Sequence, residues 1–271
     1  MINSLRTLLT HKLKSNNKPK VNNGGFTLIE LLVAMIVAVL IIAPLLRFMI
    51  TIVDTDRKEQ AKATSEQEIQ AAMDYIARDL EQAVYIYDNS GVERDNAGKA
   101  DDSGIRNQIP PVAAAPGCNT DNCQPVLVFW KRKYFDRTDK VKVKGKDTKI
   151  EKLTNGNDTF VYALVAYYLI TEPNETWSDI ARIGRFEIHD KVTSENKKEV
   201  DDSEPSPGFK AFNLNEEGSK LKQKLNQWKK EAGNYETPVQ ILVDYIDNTA
   251  TGIKPDCPSV FPKSDDKDDL Q

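Results

Sequence analysis

The chain has 271 residues, 37 of them basic and 41 acidic, for a net charge of −4. Residues 1–25 hold five bases and no acid, so the remainder carries 32 bases against 41 acids, a charge of −9. That acidity argues against direct nucleic-acid binding, which needs clustered Lys and Arg. The histidines, His11 and His189, give no pair for a metal site beyond residue 25 and make a hydrolase triad improbable.

Residues 1–25 form a basic segment with Arg6, Lys12, Lys14, Lys18 and Lys20, a charge of +5 that would hold it on the cytoplasmic side of a membrane. Gly24-Gly25-Phe26-Thr27-Leu28-Ile29-Glu30 follows. Gly25 offers a peptide bond without side-chain obstruction, and with the basic segment before it the glycine pair reads as a processing site on the cytoplasmic side. From Phe26 to Leu46 the chain is apolar for 21 residues with one charge, Glu30. That length spans a hydrocarbon core of about 30 Å at 1.5 Å per residue. An acidic residue at mid-helix in a bilayer costs roughly 2.5–3.5 kcal/mol, which makes Glu30 a functional candidate. An ordinary secretory signal fits the basic start but not Glu30, and no small-x-small cleavage site follows the run. A plain signal anchor is the other alternative. Pro44 removes a backbone donor and is expected to kink or loosen the helix.

Beyond residues 26–47 an amphipathic continuation is expected over 48–88. Ile69, Met73, Ile76, Leu80 and Ala83/Val84 recur at spacings of three and four, and Asp88-Asn89-Ser90-Gly91 supplies the first clear stop. Residues 89–262 read as a globular β domain. After a loop-like stretch to 125, strand signals cover Val126–Phe135, Thr159–Thr171, Ala181–His189 and Val239–Ile246, with Thr159–Thr171 the strongest and central. Lys140–Asn157 reads as a charged hairpin or loop turning at Gly145. Residues about 190–236 are dense in Lys, Glu, Asp, Ser and Asn. They read as a partly mobile insertion with one short helix near 215–231. Residues 263–271 are an acidic tail. The expected class is α+β, a long amino-terminal helix packed on an antiparallel sheet with a loop-rich insertion.

Cys118 and Cys123, with four residues between them, permit a local disulfide, and a metal clip lacks a second Cys/His pair. Cys257 could stay free, pair with another chain or compete for one of the two. Asp95, Asp101 and Asp102 could bind calcium but lack EF-hand spacing, so solvated loop acids are expected. Trp130, Tyr134, Tyr162, Tyr167 and Tyr168 could make a sugar-binding face, though such residues on strands more often build core and cross-strand pairs. His189 is expected at a strand end on the surface. No catalytic constellation, phosphate loop or cofactor motif occurs, so no enzyme, cofactor or metal is expected.

The Gly25–Leu31 motif and its apolar run closely resemble the type IV prepilin signature shared by type IV pilins and type II secretion pseudopilins. That resemblance implies a prepilin peptidase that cuts before Phe26 and methylates its new amine. It implies that Glu30 pairs with such an amine during filament assembly, and that the Pro44 region can melt when subunits pack. The implied partners are other minor and major pilins or pseudopilins, an inner-membrane assembly platform and the membrane. The implied location is the inner membrane, with the soluble domain in the periplasm, and then a pilus, pseudopilus or the cell surface. Glu68–Ala83, with Ile76-Ala77-Arg78-Asp79-Leu80 inside it, resembles the helix end of J-type minor pseudopilins and W-type minor pilins. The chain is also similar to pseudopilins of polysaccharide secretion in filamentous cyanobacteria. A rival expectation is a membrane-tethered adhesin or glycan-binding module that uses the leader for export only.

Overall fold

The computed structural model describes residues 25–173, 175–178 and 180–246. The expected leader up to Gly24, Cys257 and the acidic tail 263–271 lie outside the described residues. The chain divides into two compact units, residues 1–62 and 63–271.

Helix α1, Leu28–Glu81, runs through both units. In the first unit its residues are all exposed, from Leu28 at 88% to Val53 at 38% for the large apolar side chains. Pro44 lies inside α1, and the helix runs through it. Polar side chains bond back onto the helix after the apolar run: the Thr51 hydroxyl donates to the Arg47 carbonyl and the Thr55 hydroxyl to that of Thr51.

In the second unit α1 packs on a sheet, and its buried side is not the expected stripe. Ala72 and Asp79 are buried, and Ile76 and Leu80 pack against Phe129, Val165 and Tyr167, while Met73 is 54% exposed. Positions 72, 76, 79 and 80 recur at helical spacing, so the packed face is rotated from the one hydrophobicity picked out. α1 also ends at Glu81 rather than near Tyr87. Strand β1, Ala83–Ile86, takes over and pairs antiparallel with the next strand, Tyr85 opposite Trp130 and Ile86 opposite Phe129. Val84, Tyr85 and Ile86 favour that pairing over a further helical turn. Asp88 then opens a helix instead of closing one. It caps α2, Asn89–Glu93, by accepting a bond from the Gly91 amide at 2.9 Å.

The remaining elements are β2 (Cys123–Phe135), β3 (Lys140–Val143), β4 (Lys146–Lys149), α3 (Ile150–Leu153), β5 (Thr159–Ile170), β6 (Ala181–His189), α4 (Leu221–Leu225) and β7 (Gln240–Ile246). Five strands form one antiparallel sheet in the order β1-β2-β5-β6-β7, and β3 and β4 form a separate hairpin. Lys144 and Gly145, both at positive φ, make the two-residue turn of that hairpin. The architecture is α+β and type IV pilin-like, a long apolar amino-terminal helix followed by an antiparallel sheet.

Both faces of the central strands are covered, which explains why β5 is buried almost without alternation. One face meets α1. The other meets a layer of loops that brings Ile105, Ile109, Phe209, Leu225, Trp228, Tyr235 and Val239 against Val128, Trp130, Leu164, Phe186 and Ile188. The polar segment 190–236 thus supplies Phe209, Leu225, Trp228 and Tyr235 to this core, and its helix is the five-residue α4. Trp130 sits among the rings of Phe209, Phe212 and Trp228, all edge-on, and its indole donates to the Tyr87 hydroxyl, which donates to the Leu225 carbonyl. The loop layer approaches closely at Gly184, where an added Cβ would meet Val239 at 2.6 Å and Ile170 at 2.7 Å.

Candidate functional site

Gly25 is open: a Cβ built on it meets nothing within 4 Å. Phe26 beside it is exposed, and the backbone turns helical at Leu28. Thr27 is the residue that starts α1. Its carbonyl accepts the Leu31 amide at 3.2 Å, and its hydroxyl accepts the Glu30 amide at 3.3 Å. Glu30 answers in the other direction. Its carboxylate accepts the Thr27 amide at 3.1 Å and the Thr27 hydroxyl at 3.0 Å. This is a reciprocal capping box, which satisfies amides that no helical carbonyl can reach. Thr27-Leu28-Ile29-Glu30 has the Thr-x-x-Glu spacing, so the cap was readable from sequence.

The arrangement places a carboxylate one turn from the Gly25–Phe26 bond, at the positive end of the helix dipole. Its chemistry is that of an acceptor for a cationic or N–H group. Around it, Leu28, Ile29, Leu31 and Leu32 are all more than half exposed, and an 18-residue window of α1 has mean hydropathy 2.9 with none of it buried.

A second carboxylate of α1 has the opposite surroundings. Asp79 is 6% exposed and accepts three bonds from the sheet: Lys131 Nζ at 2.7 Å, the Tyr167 hydroxyl at 2.7 Å and Arg185 Nε at 2.8 Å. Glu187 extends the cluster, meeting Lys133 at 2.6 Å, Lys131 at 3.3 Å and Arg185. Burial works to raise the Asp79 carboxyl, but the bonds from Arg185, Lys131 and Tyr167 outweigh it and hold it below the usual range. Burial likewise opposes ionisation of Glu187, and Arg185, Lys133 and Lys131 overcome it, bringing its pKa down to about 2. Sequence reasoning missed this cluster. The signal was there in Asp79, three residues after Ile76 on the packed side, and in Arg185 and Glu187 alternating with Phe186 and Ile188 on β6.

The other singled-out residues are scattered. Cys118 and Cys123 form a disulfide, both buried, with Cα atoms 5.6 Å apart. Asp95 takes a two-pronged bond from Arg106, and Asp101 accepts from Gln223. No group of three or more His, Cys, Asp or Glu that could hold a metal occurs among the described residues. The five candidate aromatics divide: Trp130, Tyr167 and Tyr168 are core, while Tyr134 and Tyr162 are exposed. His189 is partly buried rather than on the surface. Its ring packs edge-on against Phe135, its Nδ1 meets the Asp190 carbonyl at 2.9 Å, and burial lowers its pKa.

The comparison that bears on the site covers this amino-terminal stretch. Residues 20–46 match the family described as the prokaryotic N-terminal methylation motif. The chain carries a prepilin methylation motif. That motif supports a type IV pilin-like protein, and with the apolar length of α1 it supports anchoring in a membrane. It implies processing by a prepilin peptidase and assembly with other pilins, and it points to a structural subunit rather than an enzyme. No curated protein and no solved structure matches the chain.

Proposed function

We propose that this protein is a minor pilin or pseudopilin that primes or joins a short filament driving secretion, of polysaccharide for instance, or motility. A prepilin peptidase cuts between Gly25 and Phe26 and methylates the Phe26 amine. α1 then stays in the inner membrane until it moves into the filament core. There Glu30 exchanges its Thr27 cap for the methylated amine of Phe26, its own or a neighbouring subunit's, and that charge pair sets axial register. An unpaired charge in such a low-dielectric core is costly, so the pairing selects one position along the helix. The sheet domain, periplasmic in this reading, meets partner subunits or exported cargo. The J-type and W-type likeness of Glu68–Ala83 favours a tip or initiating position over the bulk of the filament.

The observation that carries this reading is the Gly25–Glu30 motif at the head of an apolar helix without protein cover among the described residues. The test is the intact mass and amino-terminal sequence of the protein from native membranes. The expected product begins at N-methylphenylalanine 26. An intact leader, or a cut after the apolar run, overturns the proposal.

A further inference from the structure

The buried cluster between the helix and the sheet holds more positive than negative charge. Lys131, Lys133 and Arg185 stand against Asp79 and Glu187, with side-chain exposures of 9, 27, 9, 8 and 13%. Buried charge is normally matched, because an unmatched ion out of water is expensive. The C-terminal end of α1 adds partial negative charge, but it lies on the Lys131 side, where Ala83 pairs with Lys131. The surplus is therefore left toward Lys133, the most exposed member.

Lys133 opens into a cleft of about 270 Å³ lined by Arg185, Glu187, His189, Ser206, Thr237 and Gln240, with Pro238. That is just below the roughly 300–1,000 Å³ of drug-sized ligand pockets, a size for one small molecule. Arg185 commits Nε to Asp79 and Nη2 to Glu187, and its Nη1 has no hydrogen bond among the described residues. Neutral groups complete the wall. The Ser206 hydroxyl accepts the His189 amide at 3.0 Å and keeps its own proton to donate. The side chains of Thr237 and Gln240 make no hydrogen bond among the described residues.

We propose that this cleft binds a small hydroxylated monocarboxylate, of which a uronic acid is the type. Its carboxylate meets Lys133 and the Arg185 Nη1 edge, and its hydroxyls meet Ser206, Thr237 and Gln240. One negative charge cancels the surplus. A phosphate monoester, with about −1.5 to −2 at neutral pH, overshoots it and is repelled by the Glu187 wall. A neutral sugar leaves the surplus in place. Nothing in this inference depends on the filament role.

His189 lines the cleft and is one of two histidines in the chain, so its ring signal is a built-in reporter. The experiment is a titration of the full chain in detergent micelles, followed by the histidine Cε1–H resonances in NMR, with His189→Ala assigning the signal. The probes are glucuronate, acetate, glucose and inorganic phosphate. The expected result is a saturable shift of the His189 signal with glucuronate, at least tenfold tighter than with any other probe. Lys133→Gln should weaken glucuronate at least tenfold. Gln240→Leu, at an exposed position, should weaken it severalfold without moving the thermal midpoint, and it decides the matter if Lys133→Gln unfolds the chain. The proposal is overturned by no saturable shift with glucuronate, by phosphate or glucose binding as tightly, or by unchanged affinity in both variants. Acetate binding as tightly as glucuronate overturns the hydroxyl recognition.

Discussion

Glu30 and Asp79 lie on one helix and live in different worlds. Glu30 is exposed, and among the described residues the hydrogen bonds its carboxylate accepts come from Thr27, three residues away. Asp79 is buried and bonded to Lys131, Tyr167 and Arg185, residues 52 to 106 positions distant in sequence. The first carboxylate is satisfied locally, by one residue of its own turn. The second is tied to three strands of the sheet beyond it, β2, β5 and β6. Under the proposed function, the helix changes surroundings at its first end and keeps them at the other, and the two arrangements suit those two tasks.

The comparison can be broken from the amino-terminal side first. Gly25→Leu should leave essentially all of the protein as unprocessed precursor, read by mass on a gel and by amino-terminal sequencing; full processing would remove the site assignment. Glu30→Ala should be cleaved normally yet fail to enter filaments, and normal filament yield in that variant would refute the pairing role. Neither change should alter the stability of the sheet domain.

The Asp79 side should respond in stability instead. Asp79→Leu leaves the buried Lys131 and Arg185 with Lys133 on one carboxylate, Glu187, and should cost about 3–5 kcal/mol in chemical denaturation. A loss under 1 kcal/mol would mean the cluster is not the tie it looks to be. Acid tests the same cluster without mutation. The folded pKa of Glu187 lies below its unfolded value, so its contribution is present above about pH 4.5 and is lost as pH falls toward 2, and Asp79, also lowered, acts in the same direction. Glu187, lowered from 4.5 to about 2, accounts for about 3 kcal/mol of that loss. Flat stability between pH 5 and 2 would contradict it. The smallest effect belongs to the local cap. Thr27→Ala should loosen the first turn of α1 by about 1 kcal/mol, seen as faster amide exchange at Leu28 to Leu31 with the sheet unaffected.

The amino-terminal motif was legible because everything it needs is contiguous: glycine, aromatic, Thr-x-x-Glu and an apolar run. The strands were legible for a similar reason. Val126–Phe135, Thr159–Thr171 and Ala181–His189 are dense in β-branched and aromatic residues, and β2, β5 and β6 fall on them. Misreadings arose where a partner, not a local preference, decided the outcome. Ala83–Ile86 continues a helical spacing, but β2 offers it a free edge. Ile69 and Met73 look like packing residues, yet the sheet meets Ala72, Ile76 and Asp79. The segment 190–236 looks too polar for a core, and its few apolar residues still help to close one face of the sheet.

Sequence by itself therefore determined the processing motif, the membrane-length apolar helix, its capped start and the placement of the main strands, because each rests on neighbours a few residues apart. Tertiary structure alone decided where α1 stops, which of its sides is buried, and that Asp79, Lys131, Arg185 and Glu187 share one buried site. Those outcomes depend on charges and surfaces that are distant in the chain and meet only when the sheet forms. A carboxylate reads as solvated until its partners are in place.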